Sequence, residues 1–188
     1  MSRAQGFTLI ELMVTVAIAA ILMGIAIPSF RDMLNSSKLT TQTNQLVTAL
    51  HLARGESIKR GVRATVCKSG NPGDAAPTCS TTANWAEGFI VFIDNTQIAG
   101  NTRAVIDGTD ERLRIFGPFT GSPITAGSNF ERGISYFPSG SVKGINSSGS
   151  DTIITAGSNQ LDLCRSGKGR RISISTNGRI TTSVLSSC

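Results

Sequence analysis

FTLIELMVTVAIAAILMGIAIPSF, residues 7–30, holds eighteen apolar side chains in 24 positions, and Glu11 is its one charge before Arg31. As an α-helix it would rise about 36 Å at 1.5 Å per residue, enough to cross a hydrocarbon core of about 30 Å. A core helix of a soluble domain shows a polar stripe at helical period, and this run shows none. The competing reading is a secretory signal peptide, whose apolar region spans about 7–15 residues and ends at a small-residue A-x-A-like site. Here the run is longer. Residues 7–30 therefore read as a membrane-spanning helix.

Two features interrupt that run. An acid inside a membrane helix costs about 2.5–3.5 kcal/mol on insertion scales, so Glu11 needs a partner. No Lys, Arg or His lies between it and Arg31. The partner must come from another subunit or from a chain terminus, and a free amine just upstream would serve. Pro28 removes a helical hydrogen bond and crowds the preceding turn. With Gly24 nearby, a kink or a locally unwound stretch is expected over 24–28.

Beyond the apolar run, residues 31–60 continue as an amphipathic helix. Leu39, Thr43, Leu46, Leu50, Ala53 and Ser57 step by four and three along one face, with Val47 and Ile58 widening it. Such a stripe needs a sheet to cover it. His51 sits beside the stripe; with no Cys or carboxylate at ligand spacing it reads as structural.

From residue 61 the texture changes. Seventeen of the 20 glycines lie here, between short β-rich runs at 62–67, 89–94, 112–116, 133–137, 160–164, 170–175 and 179–184. Asn177-Gly178 is the strongest hairpin signal in the chain. The expected fold class is α+β: a long N-terminal helix packed on an antiparallel sheet, with 61–188 forming the β-rich domain. The four cysteines, Cys67, Cys79, Cys164 and Cys188, form no CxxC and have no His to complete a zinc set. Three disulfide connectivities are possible. The local pairs Cys67–Cys79 and Cys164–Cys188 are favoured, since each encloses a Gly/Ser/Pro-rich loop or a hairpin.

Catalytic signatures are missing. There is no G-x-S-x-G, H-E-x-x-H or P-loop, and Gly167-Lys168-Gly169 lacks the P-loop spacing. Asp107-Gly108-Thr109-Asp110-Glu111 is acidic but does not match an EF-hand loop, and reads as a solvated turn. The chain is expected not to be an enzyme and to need no cofactor or metal. Charge is more informative. The 26 residues from Leu163 onward carry Arg165, Lys168, Arg170, Arg171 and Arg179 and no acid. Several of these side chains could form one positive rim at the exposed end of the domain, which would contact phosphates in a sequence-independent, salt-sensitive way. A solvated basic edge that discourages sheet aggregation is the plainer account. No aromatics interleave, so stacking on single-stranded bases is not suggested.

Several of these motifs resemble one family. Gly6-Phe7-Thr8-Leu9-Ile10-Glu11, behind a short leader with Arg3, resembles the class III prepilin signal of type IV pilins and type II secretion pseudopilins. The resemblance implies a leader at 1–6, cleavage by a prepilin peptidase between Gly6 and Phe7, and N-methylation of Phe7. It also supplies the partner for Glu11: the Phe7 amine of a neighbouring subunit in the filament. Losing Arg3 with the leader would leave 17 basic against 12 acidic side chains. Downstream, Asn84-Trp85-Ala86-Glu87-Gly88-Phe89 running to Asp94, Tyr136-Phe137-Pro138-Ser139-Gly140, and Cys164 followed by a basic strand and Asn177-Gly178-Arg179 resemble the GspH/FimT-type domain. Trp85 itself reads as core packing.

The resemblance points to minor pilins of the FimT/FimU type, or to their type II secretion counterparts. It implies the type IV pilin fold, insertion in the inner membrane with a periplasmic domain, and later a place in the pilus. The implied partners are other minor and major pilins, prepilin peptidase and membrane lipid. Some FimT-type minor pilins bind double-stranded DNA for uptake through a Gly-Arg-x-Arg motif. Gly169-Arg170-Arg171-Ile172 and Gly178-Arg179-Ile180-Thr181 each resemble its start, and both lack the fourth-position Arg.

Overall fold

The computed structural model describes residues 6–155 and 157–188, so most of the expected leader, Arg3 included, lies outside the described residues. The chain divides into two compact units, one reaching Lys38 and one from Leu39 onward. A single helix, α1 (Leu9–Arg60), contributes to both.

α1 begins with a side-chain cap. Thr8 precedes it, and the Glu11 backbone N–H donates to Thr8 Oγ1 at 3.3 Å. Thr8-x-x-Glu11 has the spacing of a capping box, which satisfies donors that the first helical turn leaves orphaned. The helix is continuous through Gly24 and Pro28, so the expected local unwinding over 24–28 is not a feature of this chain's structure. α1 ends at Gly61, which takes φ 68° and donates its N–H to the Ser57 carbonyl at 3.0 Å. A left-handed residue just past the last turn is the usual glycine-favoured helix stop.

Among its described residues, the unit from Leu39 onward contains ten strands in two antiparallel sheets, where the sequence suggested one. The first sheet comprises β1 (Ala64–Lys68), β2 (Phe89–Ile93), β3 (Glu111–Phe116), β5 (Gly133–Tyr136), β6 (Val142–Ile145) and β7 (Asp151–Thr152). Its order is β3-β2-β1-β5-β6-β7. The second comprises β4 (Ile124–Ala126), β8 (Gln160–Arg165), β9 (Lys168–Ile174) and β10 (Ile180–Leu185), in the order β10-β9-β8-β4. β4, β6 and β7 were not expected from the sequence. They are two to four residues long, which leaves too short a run for alternation to show.

One buried cluster joins the helix to both sheets. Leu39, Leu46, Ala49, Leu50 and Ala53 meet Val66, Phe89, Val91, Ile134 and Tyr136 of the first sheet and Leu161, Leu163, Ile172 and Ile174 of the second. Thr43 and Ser57 complete the buried face of α1, whereas Ile58, expected to widen it, is 51% exposed. Ser57 makes the closing contact: its hydroxyl donates to the Val62 carbonyl at 2.7 Å, with the Tyr136 carbonyl 3.0 Å away. Trp85 is buried in the same cluster, and its indole N–H donates to the Phe130 carbonyl at 2.9 Å.

The opposite face of the first sheet is covered as well. Cys67, Ile90, Phe92 and Ile145 pack there with Ala104 from the β2–β3 connection. Disulfides join Cys67 to Cys79 and Cys164 to Cys188, the local pairs among the three possible connectivities. The first of them ties the 69–88 connection to β1.

Candidate functional site

Two regions answer to the functional residues picked out in the sequence. In the first, Gly6 and Phe7 are exposed and precede the helix, and Glu11 occupies its first turn. A carboxylate there is favoured by the positive end of the helix dipole. Among the described residues no ion pair reaches Glu11. Every large apolar side chain from Leu9 to Leu34 is exposed, by 42% at Leu34 up to 77% at Leu9. The most apolar 18-residue window of α1 has a mean hydropathy of 2.5 and is wholly unburied. Surface of this kind is stable only against lipid or against similar helices.

The second region is the basic C-terminal segment. β8 and β9 are joined by Ser166 and Gly167, both at positive φ (48° and 75°). That is a two-residue hairpin turn of the type whose twist matches antiparallel strands. β9 and β10 are joined at the other end of β9. There Gly178 takes φ 75° and donates its N–H to the Ser175 carbonyl at 2.8 Å, while the Ser175 N–H donates to the Arg179 carbonyl at 3.0 Å. Asn177-Gly178 thus closes a three-residue loop. The two turns are separated by the length of β9, roughly 20 Å at about 3.3 Å per residue. Lys168 stands at one end and Arg179 at the other.

Strand alternation divides the remaining cations. Arg170 shares a face with the buried Ile172 and Ile174, and its cross-strand neighbours are Leu163 and Val184. Arg171 points to the opposite face and is cross-strand from Asp162. It makes a two-pronged pair with that carboxylate, Nε to Oδ1 at 2.8 Å and Nη2 to Oδ2 at 2.7 Å. These hydrogen bonds push the Arg171 pKa up further. Arg165 donates to the Thr120 carbonyl at 2.6 Å and to Ser122 Oγ at 3.3 Å. Asp162 is the residue that the linear charge count missed: it lies one position before the acid-free stretch, yet register places it beside Arg171.

A further polar centre was not visible in the sequence. Arg63, just before β1, is 7% exposed. It donates from Nη2 to Ser135 Oγ at 2.7 Å and to Asp151 Oδ1 at 2.7 Å, and its Nε lies 3.4 Å from Asp94 Oδ2. That Asp94 oxygen also accepts from Thr65 Oγ1 at 2.7 Å and from the Ala104 N–H at 3.2 Å. Burial pushes the Asp94 carboxyl above its usual pKa, opposed by Thr65 and Arg63. The cluster ties β1, β2, β5 and β7 to the 94–110 connection, so its role is to hold that connection over the sheet. The acidic turn is spent similarly: Asp107 Oδ2 accepts from the Thr102 N–H at 2.9 Å, and Asp110 Oδ1 from the Asn95 N–H at 2.8 Å.

Residues 42–178 match the family described as "Type II transport protein GspH", and residues 1–27 match the prokaryotic N-terminal methylation motif. A "Fimbrial protein" of Pseudomonas aeruginosa is 32% identical over 130 residues, covering 66% of this chain and 75% of that protein. "Prepilin peptidase-dependent protein D" of Escherichia coli is 30% identical over 123 residues, covering 62% and 82%. Among solved structures, the Pseudomonas aeruginosa type IV minor pilin FimU superposes with a TM-score of 0.53 at 17% identity. That match covers 83% of this chain and 98% of FimU, and at this identity it speaks to the fold alone.

Proposed function

The chain belongs to the GspH family of pilin-like proteins, and from that premise we propose that it is a minor pilin acting in the assembly or initiation of a type IV pilus. Prepilin peptidase would cut between Gly6 and Phe7, and N-methylation would fall on Phe7. Before assembly the protein would sit in the inner membrane with its β domain in the periplasm; afterwards it would sit in the pilus among other minor and major pilins. The carrying observation is the run of apolar side chains from Leu9 to Leu34, all exposed, with one acid in the first turn beside the expected cut. A self-contained domain has no use for such a surface, whereas a bundle of neighbouring helices covers it and a neighbour's Phe7 amine would pair Glu11. In cells, Glu11→Ala should leave the protein processed and folded but absent from sheared pili. Normal recovery of the variant in pili would remove Glu11 from this account.

A second reading, a minor pseudopilin of type II secretion, is favoured by the description of the matching family. Deleting the gene separates the two: loss of pili with normal exoprotein secretion supports the pilus, and the converse supports secretion. A third reading, capture of double-stranded DNA, is favoured by Arg165, Lys168 and Arg170, which share one sheet face at the β8–β9 turn, while Arg171 is paired with Asp162 and Arg179 stands at the other end of β9.

A further inference from the structure

Between the two sheets lies a cavity of about 450 Å³. β4 of the second sheet lines it, with Lys68 at the end of β1 and with Ala83 and Trp85 of the 69–88 connection. Its volume is within the range of about 300–1,000 Å³ usual for ligand pockets. The fold leaves two kinds of bonding group unused in its wall.

The first is main chain. β4 pairs with β8 alone, and the register fixes which way its peptide groups point. The Cys164 N–H donates to the Pro123 carbonyl at 3.2 Å, and the Gly127 N–H donates to the Gln160 carbonyl at 2.8 Å. Residues 123 and 127 therefore face β8, and so does Thr125 midway between them, opposite Asp162. Ile124 and Ala126 turn their N–H and C=O groups away from β8, and both residues line the cavity. Among the described residues none of these four groups has a partner. Unpaired edge groups of this kind are a template for another strand.

The second is a charge. Lys68 is half-buried in the same wall. Among the described residues its ammonium makes no ion pair. Burial lowers its pKa, and the charges of Glu131 and Glu87 only partly offset that. Glu131 is engaged elsewhere, accepting the Ser147 N–H at 2.9 Å.

We propose that this cavity is a docking groove for an extended, acidic peptide segment of another protein, which adds as a strand to the free side of β4 and sets a carboxylate against Lys68. The main chain selects the class of occupant. Two N–H and two C=O groups in alternation are answered by a peptide backbone, which carries both kinds, whereas an anion alone would leave both carbonyls unpaired. Lys68 selects the sign, because a carboxylate returns to the ammonium what burial takes from it. Ala83 and Trp85, both buried, give the segment an apolar wall to lie on. The proposal does not depend on whether the protein serves a pilus or a secretion system.

The test uses the full chain in detergent micelles, with the capped pentapeptide acetyl-Thr-Glu-Val-Glu-Thr-amide as the probe. A one-residue shift of register turns its glutamates to either face. Trp85 is the one tryptophan of the chain and lines the cavity, so its emission reports occupancy. Titration followed by that emission and by calorimetry should saturate at one peptide per chain. Exchanging both glutamates of the peptide for glutamine should weaken binding about tenfold, the size expected for one charged hydrogen bond. Lys68→Gln should abolish that preference. A peptide methylated at every backbone nitrogen should lose binding. Ala126→Pro, which removes an outward N–H and spares the β4–β8 ladder, should weaken binding with little change in melting temperature. No saturation by either readout overturns the proposal, as does equal affinity for the two unmethylated peptides or full binding of the methylated one. Competition by free glutamate at the same concentrations also overturns it, since the cavity would then be a small-anion site. If a variant does not fold, the three peptides decide on the wild type alone.

Discussion

Leu22 and Leu50 are on one unbroken helix, with the same backbone conformation and the same side chain. Leu22 is 61% exposed, and Leu50 is fully buried. The difference lies in the sequence around them. Up to Lys38 the apolar residues circle the helix, whereas from Leu39 they keep to one stripe. A stripe can be satisfied by sheets from the same chain, and here it is. An all-round apolar surface cannot be covered by one small domain, so its partners are supplied from outside. The second half of α1 thus belongs energetically to the β domain, and the first half to whatever the protein enters.

Three measurements break or sharpen that contrast. The largest effect is expected from truncation at matched positions. Leu50→Ala should destabilise the full chain in detergent by about 2–5 kcal/mol through lost burial and the cavity left behind. Leu22→Ala should leave the unfolding midpoint of the domain in place. Equal losses in denaturant melts would mean that the two halves do not differ in this way.

A second pair compares hydroxyls. Ser57→Ala strips the half-buried Val62 and buried Tyr136 carbonyls of a donor and should cost about 1–3 kcal/mol. Thr15→Ala removes a bond to the Leu12 carbonyl on an exposed turn and should not move the same melt.

The smallest effect is a pH slope. Because burial raises the Asp94 pKa, the folded state holds that proton more tightly than the unfolded state. The stability contributed by Asp94 is therefore greatest below about pH 3.8 and falls as pH rises through the raised value. Asp94→Asn should flatten that part of the pH–stability profile, and Leu22→Ala should leave it unaltered. An unchanged slope in Asp94→Asn would assign it to another carboxyl, with Asp110, also raised by burial, next to be replaced.

Much of the domain-facing helix was legible in the sequence. Stepping by three and four picked out Leu39, Thr43, Leu46, Leu50, Ala53 and Ser57, all buried. It overlooked Ala49, which is small enough to be covered entirely, and it included Ile58, which lies where the last turn leaves the sheets. The strands with strong β composition were found to within one or two residues at most ends. β4, β6 and β7 were not, since each is completed by a neighbour's hydrogen bonds and not by its own residues. The basic segment was legible as a composition but not as a surface. Its count of five cations was right, while alternation set Arg170 and Arg171 on opposite faces and register brought Asp162 to Arg171.

By itself, then, the sequence determined the apolar helix, the amphipathic continuation and the Gly-punctuated β region. Each is written in composition or in spacing over a few turns, where neighbours in sequence are neighbours in space. Tertiary structure alone decided that there are two sheets, that Arg63 and Asp94 meet in the interior, and that the outer side of β4 is left open. An edge or a cross-strand partner is defined by which distant strand lies alongside, and that depends on the packing of the whole domain and not on any local run of residues.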